Sequence, residues 1–267
     1  MDLGLRNTLA VVTGASRGIG RAIAVALAAE GVHVILAARG AADLEAASNS
    51  IRSLGGNADC FNFDAASSSD AQALIEYVHS RHASLNILIN NAGGMTGAES
   101  GLFTELTDED WRSTYELNVM GAVRLVRGFR ALMAGRSARI INIASENGIA
   151  PERVYPHYNA AKAALIALTK SLSLELAREQ ITVNCVSPGI IATEGVLGKW
   201  NAGALAKNTT LEEIQSAFMR ARRKRVARGT PGTPAEVAAF VAFLCSPHAA
   251  FMTGTNYRID GGQINIC

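Results

Sequence analysis

The stretch Thr13-Gly14-Ala15-Ser16-Arg17-Gly18-Ile19-Gly20 limits what this chain can fold into more than any other. It follows the apolar run Leu9–Thr13 and opens a segment of helical period, so it reads as a strand, a glycine turn and a helix. Glycines there permit a tight turn and let backbone N–H groups approach an anion at the positive end of the helix. The spacing is G-x-x-x-G-x-G rather than the commoner G-x-G-x-x-G. Gly14, Ser16, Arg17, Gly18, Ile19 and Gly20 are the candidate contacts to a pyrophosphate.

The rest of the chain repeats that unit. Strands are expected at residues 9–13, 32–38, 58–64, 87–90, 139–145, 181–187 and 255–259. Helices are expected at 21–30, 42–54, 70–82, 108–133 (in one piece or two), 158–178 and 234–244. Strands alternating with helices predict a doubly wound α/β fold: a parallel seven-stranded sheet with helices on both faces. No repeat or linker interrupts residues 1–267, so a single domain is expected. Residues 194–227 read as its irregular part, with Leu211, Ile214 and Phe218 at helical spacing. A connection of about thirty residues is long for such a fold and is expected to be a lid over the binding site.

Composition narrows the class. Hydrophobic residues make up 49% and charged residues 18%, which excludes disorder. A net charge of +2 gives no reason to expect nucleic acid or a membrane surface. Cys60, Cys185, Cys245 and Cys267 form no CxxC pair and are expected as free thiols. No histidine pair has ligand spacing, so no metal is expected. The N-terminus lacks a basic head and apolar run, and no tract reaches the roughly 18 apolar residues of a membrane span. A soluble, cytoplasmic protein is the expectation.

The second strand ends Ile35-Leu36-Ala37-Ala38-Arg39, without the carboxylate that binds a ribose 2′-hydroxyl in NAD-binding folds. Asp43 and Glu45 stand a turn or more further on. Arg39, with Arg17 opposite, suits a 2′-phosphate, which favours NADP(H). The fourth strand ends Asn90-Asn91-Ala92-Gly93, and Asn91, Ala92 and Gly93 are candidate cofactor contacts at the carboxyl edge of the sheet.

The chain resembles the short-chain dehydrogenase/reductase family, whose fold is Rossmann-type. The glycine loop matches TGxxxGxG, residues 90–93 match NNAG, and Ser145, Tyr158 and Lys162 reproduce Ser-x12-Tyr-x3-Lys. Pro188-Gly189-Ile190-Ile191-Ala192-Thr193 matches PGxxxT, and Gly254 with Asp260-Gly261-Gly262 fits the C-terminal end. The resemblance is to NADPH-dependent reductases of 3-oxoacyl thioesters and related ketones. It implies a catalytic set of Asn118, Ser145, Tyr158 and Lys162, with Asn118 holding a water near the lysine. It implies that Lys162 also binds the nicotinamide ribose, that Pro188, Gly189, Ile191 and Thr193 hold the nicotinamide, and that Asp64 with Ala65 lies near the adenine. It also implies a homotetramer built through the helices at 108–133 and 158–178.

The residues support that chemistry. A ketone accepting a hydride gathers negative charge on its oxygen and needs a proton there. Tyr158 and Lys162 are four apart on one helix face, so both can point into one cleft. An ammonium about 4 Å from the phenol is expected to lower its pKa, against the effect of burial. Tyr155 precedes Pro156, which biases it out of the helix. It is either a loop aromatic or a substrate contact. Ser145 is expected to orient the carbonyl. Arg220, Arg222, Arg223, Lys224, Arg225 and Arg228 form a basic cluster, read as a solvated face or as a seat for an acidic substrate or carrier. The expected activity is hydride transfer from NADPH to a small carbonyl substrate, acyl thioesters included. The alternatives are an NAD(P)-dependent alcohol or diol dehydrogenase and a non-catalytic nucleotide-binding regulator.

Overall fold

Strand β1 (Leu9–Thr13) is buried on both faces, and its side chains alternate between two apolar layers. Ala10 and Val12 face one layer, Leu9 and Val11 the other. A strand with two buried faces needs helices above and below, which βαβ connections supply. The structure, a computed structural model, describes residues 2–98, 100–221 and 226–265.

After β1 come α1 (Gly18–Ala29), β2 (His33–Ala38), α2 (Ala41–Ser53), β3 (Asn57–Asn62), α3 (Ser68–Arg81) and β4 (Ile87–Asn90). Then follow α4 (Asp108–Tyr115), a π turn (Glu116–Met120), α5 (Gly121–Met133), β5 (Arg139–Ile143) and α6 (Pro156–Leu176). The chain ends with β6 (Thr182–Pro188), α7 (Glu194–Ala206), α8 (Leu211–Ala221), α9 (Pro234–Cys245) and β7 (Asn256–Ile259). The seven strands form one sheet in the order β3-β2-β1-β4-β5-β6-β7, every pair parallel. Strand order reverses between β1 and β4, and such a reversal opens a crevice at the carboxyl edge. One layer packs Ile23 and Leu27 of α1 with Leu44 of α2 and Val237 and Val241 of α9. The other packs Leu74 and Val78 of α3 with Leu125 and Phe129 of α5.

A polar chain crosses this apolar interior. Asn90 of β4 donates to Asn142 of β5 (2.8 Å), and Asn142 donates to Thr169 of α6 (2.9 Å). Thr169 Oγ1 in turn donates to the Leu165 carbonyl (2.9 Å).

Residues 108–133 take the two-piece form, two helices joined by the π turn, and Asn118 sits inside that turn. An inserted residue of this kind is a frequent device at functional sites. The expected strands at 58–64 and 139–145 are shorter, so Asp64 and Ser145 stand just beyond β3 and β5. The segment 194–227 is not irregular over its described residues: α7 and α8 occupy most of it. Gly195, Gly198 and Gly203 lower its helix propensity, but tertiary contact overrides that. Thr193 caps α7 by accepting from Val196 N, and buried Trp200 packs on Phe218 of α8 with ring centroids 5.3 Å apart.

Within the basic cluster, Arg222, Arg223, Lys224 and Arg225 lie outside the described residues. Arg228 is tied to Glu236 (2.5 Å), and Arg220 is exposed. Cys60, Cys185 and Cys245 are free thiols, and Cys267 lies outside the described residues. Among the described residues, no helix is long and apolar enough to cross a membrane.

Candidate active site

The crevice is built from the ends of β1 and β4. Gly14 and Gly18 take positive φ (63° and 59°), a backbone conformation only glycine adopts without strain. Thr13 Oγ1 accepts from the N–H groups of Asn91 (3.0 Å) and Ala92 (2.9 Å). Asn91 Nδ2 returns bonds to the carbonyls of Thr13 (2.9 Å) and Gly14 (3.2 Å). Asn91 is thereby a clamp between the two turns. A Cβ on Gly20 would overlap both the Gly14 carbonyl oxygen and Asn91 Nδ2. Gly20→Ala should therefore cost about 1–3 kcal/mol. Thermal unfolding of the variant should show a drop of several degrees together with weaker nucleotide binding.

This crevice is a cavity of about 540 Å³. Of the residues expected from sequence it is lined by Gly14, Ser16, Arg17, Gly18, Ile19, Gly20, Arg39, Asp64, Ala65, Asn91, Ala92, Gly93, Tyr158, Lys162 and Thr193. Pro188, Gly189 and Ile191 line instead a second cavity of about 320 Å³, together with Ser145, Tyr155 and Tyr158. Tyr158 and Thr193 border both cavities. Sequence reasoning missed Asp43 and Glu194 on the first cavity, and Glu146, Glu152, Val196 and Phe218 on the second. Asp43, expected a turn or more into the next helix, occupies the first turn of α2, where Gly40 leaves the space beside its carboxylate open. Arg39 and Arg17 are exposed, and among the described residues no ion pair engages either.

Tyr155 is the N-cap of α6, outside helical conformation (φ −135°, ψ 43°), with Pro156 in the first turn. Tyr158 and Lys162 follow on one face. Lys162 is buried (3% exposed) and donates to the Ile143 carbonyl (3.0 Å). Burial lowers its pKa from the ordinary 10.5 to about 8, with Cys185 pulling weakly the other way. Tyr158 departs from expectation. Burial pushes its phenol up to about 12, the Ser145 hydroxyl lowers it, and the Glu146 carboxylate raises it again. Lys162 does not bring the phenol down, because Nζ lies 5.6 Å from the ring centroid and bonds to the backbone of β5.

Ser145 Oγ accepts from Asn147 N (3.2 Å), which fixes the hydroxyl oxygen and leaves its proton to donate. Asn118 is held by three side-chain hydrogen bonds. Its Oδ1 accepts from Gly94 N (3.0 Å), while Nδ2 donates to the carbonyls of Gly94 (2.7 Å) and Thr114 (2.8 Å). Both amide hydrogens are occupied, so of the side chain only the second lone pair of Oδ1 remains for a water. A Cβ on Gly93 would stand 2.8 Å from Asn118 Oδ1 and 2.9 Å from Lys162 Nζ, so that glycine is what lets the two approach.

The arrangement can bind a dinucleotide in one cavity and present a small molecule to a phenol and a hydroxyl from the other. Comparison with known proteins agrees with that reading. The family model described as short chain dehydrogenase matches residues 8–202. The 3-oxoacyl-[acyl-carrier-protein] reductase of Escherichia coli strain K12 is 35% identical over 99% of this chain and 100% of its own. An uncharacterized oxidoreductase of Bacillus subtilis strain 168, YvaG, is 32% identical over 99% of this chain and 98% of its own. Among solved structures, L-sorbose reductase from Gluconobacter frateurii, complexed with NADPH and L-sorbose, superimposes with a TM-score of 0.94 at 33% identity over the whole of both chains. An actinorhodin polyketide ketoreductase variant with NADPH gives 0.87 at 34% identity, over 97% of this chain and 98% of its own. With model, relatives and fold agreeing over nearly its whole length, the chain belongs to the short-chain dehydrogenase family of oxidoreductases.

Proposed function

We propose that this protein reduces a ketone with NADPH, using Tyr158 as the acid. The observation that carries the proposal is the position of Tyr158 on the wall shared by the two cavities, with Lys162 on the cofactor side and Ser145 on the other. The glycine turn, with N–H groups at the start of α1, fits a pyrophosphate, and exposed Arg39 and Arg17 fit a 2′-phosphate. NADPH, when bound there, would supply the hydride. Tyr158 donates its proton to the carbonyl oxygen, and the Ser145 hydroxyl holds that oxygen in place. Lys162 binds ribose hydroxyls, and its charge, too far from the phenol to lower its pKa, serves to hold the anionic cofactor. Asn118 fixes the Gly93–Gly94 turn and offers its carbonyl to a water in the relay. Tyr155 bounds the substrate. Residues 194–221 act as a lid on one domain, and assembly is a homotetramer through α4, α5 and α6, on which Tyr115 and Leu174 stand exposed. The cytoplasm is the compartment that fits free thiols.

The test is NADPH oxidation against a panel of ketones, ketoses, acyl thioesters and quinones. Turnover with one of them is expected, and failure with all would sink the reading. The pH profile is a second check. Lys162 is charged below about 8 and neutral above it, while Tyr158 stays protonated to about 12. Reduction measured as kcat/KM should thus be level on the acid side and fall as pH rises through about 8. Lys162→Arg should carry that fall to higher pH.

A second reading, an NAD(H)-linked dehydrogenase running towards the ketone, is favoured by Asp43 on the first cavity. Titration of both cofactors in both directions separates the two.

A further inference from the structure

Glu194 opens α7, and its carboxylate faces the glycine turn. Oε2 accepts the N–H of Gly18, the first residue of α1 (2.9 Å). Oε1 pairs with Arg21, on the first turn of the same helix. Burial alone would raise this carboxyl. Hydrogen bonds from its own N–H and that of Gly18, with the charges of Arg21 and Arg17, outweigh burial and hold it below the ordinary carboxylate range. It is an anion at neutral pH. The preceding Thr193 turns its methyl towards Gly18, where a Cβ would stand 3.4 Å away. The N-termini of α1 and α7 thus converge on one negative charge, an arrangement both helix dipoles favour.

The N–H groups that open α1 are the ones a cofactor's pyrophosphate would use. A carboxylate already bonded to Gly18 N occupies one of those donors, and it repels a second anion brought beside it. We propose that Glu194 is an internal stand-in for the pyrophosphate, clasping α7 to α1 in the cofactor-free protein and released when the diphosphate seats. The inference rests on the reading that the first cavity takes NADP(H).

The release would be felt in the other cavity. α7 contributes Val196 to its wall and, through Trp200, supports Phe218 of α8 on the same wall. Seating the cofactor would therefore free the substrate wall to rearrange, which makes cofactor binding precede substrate binding. A carboxylate that served only to fasten the fold would not compete with an incoming anion, and the two roles predict opposite signs.

The experiment is fluorescence titration of the full-length protein with NADPH for wild type, Glu194→Gln and Glu194→Ala. Removing the competing charge (Gln), or the charge and the hydrogen bond (Ala), should tighten NADPH by about three- to tenfold. Inorganic pyrophosphate, as a probe without nucleotide, should tighten by a similar factor. Hydrogen exchange on the wild type needs no variant. NADP+ should speed exchange at residues 194–200, and in Glu194→Ala those amides should already be fast and indifferent to NADP+. Unchanged or weaker NADPH binding in both variants overturns the proposal, as does slower exchange at 194–200 in the wild type when NADP+ binds. No NADPH binding to the wild type overturns both this inference and the cofactor reading. Binding without the predicted tightening overturns this inference alone.

Discussion

Tyr158→Phe should lower turnover of an accepted ketone by about 10²–10⁴-fold, the range a general acid supplies. In barrier terms that is about 2.7–5.4 kcal/mol. The ring remains, so the wall between the cavities keeps its shape, and NADPH affinity should stay within a factor of a few. The loss should fall on kcat and on kcat/KM alike, the signature of an interaction made in the transition state. Steady-state kinetics with the best substrate of the panel, alongside NADPH titration, checks both halves. Turnover surviving within about tenfold would remove Tyr158 from the acid role. A large fall in NADPH affinity would instead mean that the hydroxyl holds the cofactor.

Arg39→Ala should weaken NADPH by about 10–100-fold and leave NADH within a factor of about three. A charge-assisted hydrogen bond to a phosphate is worth about 1.5–3 kcal/mol, and NADH has no 2′-phosphate to lose. Because Arg39 is exposed, the difference should shrink as salt rises. Asp43→Asn should move preference the other way, towards NADPH, by removing a carboxylate from the same cavity. If the wild type prefers NADH, the pairing of Arg39 with a 2′-phosphate is wrong and Asp43 is the ribose ligand.

Much of this was legible from local pattern. β1, the glycine turn and the start of α1 were readable because strand period, positive-φ glycines and helix period are short-range signals, and Gly14 and Gly18 take the expected conformation. The separation of Tyr155 from Tyr158 followed from Pro156 alone. Other features needed three dimensions. The Tyr158 phenol is raised rather than lowered because burial and Glu146 prevail, and neither is visible in the Tyr-x3-Lys spacing. Asn118 interacts with Gly94 through a π turn, which has no signature in single-residue propensity. Helices α7 and α8 are held by Trp200 against Phe218 despite their glycines. Glu194 could not be found from sequence, because its partners Gly18 and Arg21 come from the other end of the chain.

The chain of Asn90, Asn142 and Thr169 has a consequence for Tyr158. A helix lying on hydrocarbon has neighbouring seats of similar energy, and a slip of one residue turns it by roughly 100°. For α6 such a slip would swing both Tyr158 and Lys162 off the cleft. The polar chain makes the seats unequal, since in any other position the Asn142–Thr169 hydrogen bond would be lost and the Asn142 amide left facing apolar neighbours. It acts as an indexing pin, fixing the angular setting of the helix about three turns away from the tyrosine it aims.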